Sequence, residues 1–440
     1  MSKTSTPANS VAVIGAGWAG CAAAVELARR GKQITLFEAA RTLGGRARAV
    51  EINGHTLDNG QHILLGAYSQ TLAMMQRVGV KPSSAFLRLP LQMRYPPGAG
   101  GMDFLAARLP APLHVAVALL RATGLTRADK LALARFNTSA RWMGWTLHVD
   151  CSVAALLERF DQTEQLIRLM WRPLCLAALN TPLEQASAQV FLAVLRDSLG
   201  ARRAASDMLL PRVDMGTLLP VAAAKYVERH GGTVRLGSKV TRLHRGERWI
   251  IDASDSDSDT FDAVVLATPA STTAQLLEAV GGADATVAQL TALTYEPIVT
   301  CYLQYDKAVR LPLPFYALLD DAAAGHWGQF VFDRGQLDAS QAGLLSVVIS
   351  AAADAVTMDR AALAEAIAQQ LTQLFSLPAP SWTQVIAEKR ATFACTPGLL
   401  RPGNDIGVPG LALAGDYTAS DYPATLESSV RSGMAAAALL

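Results

Sequence analysis

Residues 11–38 carry a strand, three glycines, a helical stretch and a second strand ending in an acid: Val11-Ala-Val-Ile-Gly15-Ala-Gly17-Trp18-Ala19-Gly20, then an alanine-rich run, Gly31, and Gln33-Ile-Thr-Leu-Phe-Glu38. Few patterns constrain a chain more, because each part has its own physical task. Gly15 permits a tight turn off the first strand, Gly17 lets backbone approach a pyrophosphate, and Gly20 lets the helix pack closely on the sheet. The helix that Trp18 and Ala19 open presents its positive end to the phosphates. Glu38 stands where it accepts hydrogen bonds from a ribose. The unit predicts an α/β, Rossmann-like domain that binds a dinucleotide, either a flavin or a nicotinamide.

The following turn separates the two cofactors. It reads Arg41-Thr-Leu-Gly44-Gly45-Arg46-Ala-Arg48. A nicotinamide site has no use for a second glycine-rich, arginine-bearing turn at this point, whereas FAD extends past the first helix and needs a second cradle for its pyrophosphate. Arg41 and Arg46 supply charge, and Gly44 and Gly45 remove bulk. The same residues on their own would also make a solvated surface turn; their place directly after a dinucleotide unit favours FAD.

At 440 residues the chain exceeds one ordinary core. We read an FAD-binding domain assembled from residues 8–80, 205–275 and 405–440, and an α+β substrate domain from 81–204 and 276–404. Gly216 to Tyr226 predicts a helix, Thr233 to Leu243 a strand with Trp249–Asp252 as its hairpin partner, and Phe261–Pro269 a buried strand running into a turn. The acidic Ser254–Asp259 tract reads as a solvated hairpin loop rather than a metal site. In the substrate segments, strands are expected at Ile298–Tyr305 and Leu344–Ser350 and a helix at Arg360–Phe375.

A net charge of +2 gives no sign of nucleic-acid binding. Five cysteines, scattered without CxxC pairs, argue against structural disulfides and zinc; Cys21 and Cys301 read as buried packing. The first ten residues are polar and lack a signal core, which predicts a cytoplasmic protein. Mean hydropathy is high at +0.22, yet no run is long enough to span a bilayer. Phe104 to Leu125 holds eight Leu and Val with prolines at 110 and 112. It suits a buried helix, and equally a surface helix dipping into a bilayer interface.

Taken together, the glycine motifs, Asp58-Asn59-Gly60-Gln61-His62, Leu411-Ala-Leu-Ala-Gly-Asp416 and Pro423-Ala-Thr-Leu426-Glu427-Ser428 resemble the FAD-dependent amine oxidase and phytoene desaturase superfamily. The longer strings Leu57–Tyr68, Arg172-Pro-Leu-Cys175 with Asn180-Thr-Pro182, and Tyr422–Glu427 are most similar to its squalene-associated branch, the hydroxysqualene dehydroxylases. The resemblance implies that Gly60 and Gln61 pass beside the flavin, that Val240 meets the adenine side through its backbone, and that Asp416 contacts the ribityl-pyrophosphate side. It also places Leu426 and Glu427 near the ring, with Ser428 where such helices often carry glycine. The Arg172–Asn180 segment suits a pocket wall and equally a helix end.

The resemblance further implies a lipophilic isoprenoid substrate whose allylic hydroxyl leaves as water while reduced flavin delivers hydride. His62, Tyr422 and Glu427 are the candidates for protonating the leaving oxygen, with His62 first because the 58–62 turn lies beside the flavin. No second nucleotide unit is apparent, so an external electron donor is expected, with peripheral contact at the inner face of the cell membrane. A carotenoid-type desaturase and a non-catalytic FAD-bound lipid carrier are the alternative readings.

Overall fold

Val11, Ala12 and Val13 are fully buried, as a strand covered on both faces requires. In the computed structural model, which describes residues 9–440, this strand (Ser10–Ile14) is the centre of a five-stranded parallel sheet. Its strand order is Thr233–Leu236, Gln33–Glu38, Ser10–Ile14, Ala263–Leu266, Leu411–Leu413, with Val13 opposite both Leu36 and Val265. The chain therefore leaves this sheet and returns to it three times, at Thr233, Ala263 and Leu411. The N-terminal lead over residues 1–8, read above as free of an export signal, lies outside the described residues, as does the first residue of the 8–80 segment.

Every residue of the helix Trp18–Arg29 from Trp18 to Ala28 is buried, because the sheet covers one side and the helix Leu426–Ala438 another. Gly433 makes that crossing: a Cβ there would lie 2.1 Å from the Ala19 carbonyl oxygen. The one acid in this buried helix, Glu26, is neutralised by Arg29, Arg30 and Arg77.

Three local readings change. The stretch expected as one strand over Thr233–Leu243 breaks at Gly237, whose φ is +71°. Its first half joins the parallel sheet, and Val240–Arg245 turns away to pair antiparallel with Trp249–Ala253. The acidic tract is not all loop: Ser256–Phe261 is the third strand of that hairpin sheet, and Arg235 bridges Asp255 and Asp259 across it. The helix expected over Gly216–Tyr226 is two helices, Met215–Leu218 and Pro220–Arg229. They break at Leu219 because Pro220 disfavours helical backbone before it.

The second sheet is antiparallel, in the order Phe315–Ala317, Phe330–Asp333, Leu344–Ile349, Tyr295–Gln304, Trp382–Phe393. Strand alternation gives it two faces. Val299, Cys301, Leu303, Leu345 and Val347 pack with Leu363, Ile367 and Leu371 of the helix Arg360–Phe375. Phe315, Phe330, Phe332 and Val348 share a core with Phe136, Trp171 and Phe191 of the helical segment 113–198. Cys21 and Cys301 are buried free thiols, and burial pushes both up to about 12, so they are neutral packing groups.

Candidate active site

Gly15 takes a φ of +101°, and a Cβ on it would fall 2.6 Å from the Ala267 carbonyl oxygen. Only glycine makes this turn. Gly20 is barred to larger residues differently, since its Cβ would stand 1.8 Å from the Gly15 oxygen. Between them Gly17 opens the helix with no side-chain cap, and no acid stands in the first turn. First-turn amides left in this way suit an anion.

The second glycine turn meets the first directly. Gly44 N–H donates to the Ala16 carbonyl at 2.9 Å, Trp18 Nε1 donates to Ala47 O at 3.2 Å, and a Cβ on Gly45 would come within 3.2 Å of Gly17 Cα. The two cradles thus form one side-chain-free surface. Glu38 closes it below, accepting from Ala16 N at 2.8 Å and Ala40 N at 2.9 Å. A carboxylate has lone pairs beyond those two for ribose hydroxyls. The Val240 strand lies alongside, because Ser238 N–H donates to the Glu38 carbonyl. These residues fit FAD: an uncapped helix end, a double glycine cradle and an acid at the strand end.

Arg46 Nη2 reaches both carboxylate oxygens of Asp416 at 2.6 Å, and its Nη1 donates to Ala391 O at 2.7 Å. The pair borders a cavity of about 250 Å³ walled by Pro269, Ala270, Tyr295, Phe393 and Tyr417. Arg41, by contrast, is exposed at the rim of the turn.

The 58–62 turn joins this domain to the second sheet. His62 Nδ1 is 2.7 Å from Gly60 O; a carbonyl only accepts, so Nδ1 carries the hydrogen and Nε2 is the acceptor. Burial lowers the imidazole below its usual 6.5. Gln61 Oε1 accepts from Arg334 Nη1 at 3.0 Å and Ser346 Oγ at 3.1 Å. Arg334 is buried, yet forms no ion pair among the described residues. Asp58 accepts from Met215 N at 2.8 Å through Oδ1 while Oδ2 has no partner, and burial lifts the carboxyl from 3.8 to about 6 against the pull of Arg334.

Sequence reasoning missed Thr300. It is fully buried with an unpartnered Oγ1, and a Cβ on Gly60 would lie 3.8 Å from both that oxygen and His62 Cε1. A small hydroxyl residue between Ile298 and Tyr302, on the strand face opposite Val299, Cys301 and Leu303, was the available signal. Arg334 gave none, since its neighbours are reached only through the fold.

Two of the candidate acids are engaged in other contacts around the C-terminal helix. Glu427 is fully buried and accepts from Gln70 N, Thr71 N, Thr71 Oγ1 and Arg431 Nε at 2.7–3.1 Å. It caps the helix Ser69–Arg77 from outside, with both oxygens engaged as acceptors. Tyr422 donates its hydroxyl hydrogen to Asp197 under the Arg431 guanidinium, 4.6 Å from the ring centroid. Burial and Asp197 push the phenol up to about 12, which makes it a poor acid. Leu426 is the first residue of its helix, and Ser428 has a use that glycine lacks: with Thr425 it completes a reciprocal capping box. Asn180 ends the helix Arg172–Leu179 in left-handed conformation and ties it to Thr392 and Ala351.

The family described as flavin containing amine oxidoreductase matches residues 18–440. This chain belongs to that family. As a member of it the chain is an FAD-dependent oxidoreductase. Among curated relatives, the hydroxysqualene dehydroxylase of Rhodopseudomonas palustris is 32% identical, covering 100% of this chain and 99% of its own length. That of Sinorhizobium fredii is 30% identical, covering 98% of each. Among solved structures, cyclohexylamine oxidase from Brevibacterium oxydans superposes with a TM-score of 0.67 at 18% identity, covering 98% of each chain. The fold of this flavin amine oxidoreductase is that of the FAD-dependent oxidases.

Proposed function

We propose that this flavoenzyme removes the hydroxyl of hydroxysqualene to give squalene, in squalene and hopanoid biosynthesis. The observation that carries the reading is the 32% identity, end to end, with a protein of that activity. The substrate takes up one proton and one hydride and releases water. Reduced FAD, when bound, supplies the hydride equivalent, and an external donor restores it. Gly15, Gly17, Trp18, Ala19, Gly20, Glu38, Gly45, Arg46, Val240, Asp416 and Leu426 hold the cofactor, with Gly60 and Gln61 beside its ring.

Protein groups then have two tasks. The leaving oxygen must receive a proton, and the allylic cation must be kept from water. The apolar face of Phe315, Phe330, Phe332 and Val348 suits the second. For the first we assign His62: its Nε2 has no protein partner among the described residues, whereas the Tyr422 hydroxyl is given to Asp197 and both Glu427 oxygens are engaged. The burial that makes its imidazolium scarce also makes it a stronger acid. Thr300 Oγ1, beside the same turn, is placed to orient the hydroxyl.

Anaerobic incubation of the reduced enzyme with 12-hydroxysqualene tests the reading, with squalene as the expected product. Recovery of unchanged alcohol, or dehydrogenation of a polyene in its place, would defeat it. A water-insoluble substrate also calls for peripheral attachment at the cytoplasmic face of a membrane. No helix among the described residues is long and apolar enough to cross one.

A further inference from the structure

Residues 104–149 contain six cations, Arg108, Arg121, Arg127, Lys130, Arg135 and Arg141, and a single acid, Asp129. The chain as a whole is nearly balanced, with 39 Lys and Arg against 37 Asp and Glu. Asp129 is buried and already engaged, accepting from Thr126 N at 2.7 Å and Thr163 Oγ1 at 2.6 Å as part of a capping box. None of the six cations forms an ion pair among the described residues.

Apolar side chains stand exposed in the same segment. Leu113 and Leu120 lie one above the other on the helix Leu113–Arg121, 53% and 75% exposed. Leu131 and Trp142, 64% and 88% exposed, flank Arg135 and Thr138 on one stripe of the helix Arg127–Trp142. The opposite stripes, with Ala118 and with Ala132, Leu133 and Phe136, are buried in the core. Lys130 Nζ donates to Leu120 O at 2.9 Å, so the end of the first helix meets the start of the second.

We propose that the outer faces of these two helices seat on an anionic phospholipid bilayer, lying in its plane. The proposal rests on the peripheral-membrane reading above and names the surface and the lipid. Exposed leucines enter the acyl boundary, Trp142 takes the headgroup level, and unpaired cations are drawn to anionic headgroups. At nine and sixteen residues the helices lie flat rather than span. A second copy is a poor occupant, because pairing this face with itself sets cations against cations with no exposed acid between them.

Flotation of the full-length, flavin-loaded protein with vesicles of phosphatidylcholine, alone or mixed with phosphatidylglycerol, tests this. Binding is expected on the mixed vesicles and should weaken with salt. Arg127→Ser and Arg135→Ser should each weaken it about five-fold on mixed vesicles only. The double variant Leu120→Ser, Trp142→Ser should abolish it, while flavin absorbance and turnover of detergent-dispersed hydroxysqualene stay unchanged. Binding that survives the double variant, or that ignores phosphatidylglycerol, overturns the proposal, as does a wild-type dimer that the double variant converts to monomer. Failure of the wild type to bind either vesicle sinks the peripheral reading itself; loss of turnover in the wild type would instead count against the dehydroxylase reading.

Discussion

His62 donates its Nδ1 hydrogen to the carbonyl of Gly60 at 2.7 Å, and this one bond fixes which ring nitrogen faces outward as an acceptor. To act as an acid, Nε2 must first gain a proton. Burial lowers the imidazole below 6.5, so the competent form grows as pH falls. Turnover under single-turnover conditions should therefore rise as pH drops through 6.5 and level off only below the depressed His62 value. His62→Ala should lower turnover roughly 10²- to 10⁴-fold and flatten that limb, with flavin still bound. A profile identical in wild type and variant would remove His62 from the reaction.

The three glycines of the first cradle should separate in experiment. Gly17 has an ordinary φ of −70°, and a Cβ there would find nothing nearer than Gly45 Cα at 4.0 Å. Only a ligand's pyrophosphate needs that space. Gly17→Ala should fold, with stability within about 1 kcal/mol of wild type, but purify without yellow colour. Gly20→Ala should instead fail to fold, since its Cβ would collide with the Gly15 carbonyl at 1.8 Å. Circular dichroism and the flavin absorbance ratio distinguish the two, and a fully yellow Gly17→Ala protein would refute the cradle's role.

This contrast explains which parts of the site could be read from sequence. Gly15 to Glu38 and the Gly44–Gly45 turn meet through residues close in sequence, Glu38 with Ala16 and Ala40 and Gly44 with Ala16, so spacing along the chain reports spacing in space; Arg46 is the exception, since its partner Asp416 lies 370 positions away. The substrate side does not work in that way. Gln61 meets Ser346 across 285 positions and Arg334 across 273, and no local pattern marks those partners. Glu427 shows the cost of relying on motif position alone. It stands in the right string but faces Gln70 and Thr71, because its helix packs against the helix Ser69–Arg77. Likewise the Thr233–Leu243 alternation continues through Gly237, while the backbone, free to take positive φ there, turns into another sheet.

Glu427 should behave as a structural group. Removing its carboxylate leaves two amides and one hydroxyl buried without acceptors, so Glu427→Ala should cost about 3 kcal/mol in urea unfolding. Glu427→Gln, which keeps an acceptor oxygen, should lose less. The flavin-loaded Gln variant should retain wild-type turnover and an unshifted pH profile. A drop of a hundred-fold or more with stability intact would return Glu427 to the chemistry.

Asp58 should make stability depend on pH in an unusual direction. Its carboxyl titrates at about 6 in the folded protein against 3.8 when free, so the folded state holds the proton more tightly than the unfolded chain. The associated stability is fully present below 3.8, declines as pH rises, and is lost above about 6. The difference amounts to about 3 kcal/mol, at about 1.4 kcal/mol per pH unit. Asn at this position keeps an acceptor for Met215 N and cannot ionise. Its amide nitrogen faces the same unpartnered space at every pH, so comparing two pH values isolates the charge. Asp58→Asn should gain about 2.4 kcal/mol relative to wild type at about pH 8 compared with about pH 4, measured by urea unfolding at each. An effect of the substitution that is the same at both would mean that folding leaves the Asp58 carboxyl as it is in the free chain, with Arg334 and Met215 N offsetting what burial opposes.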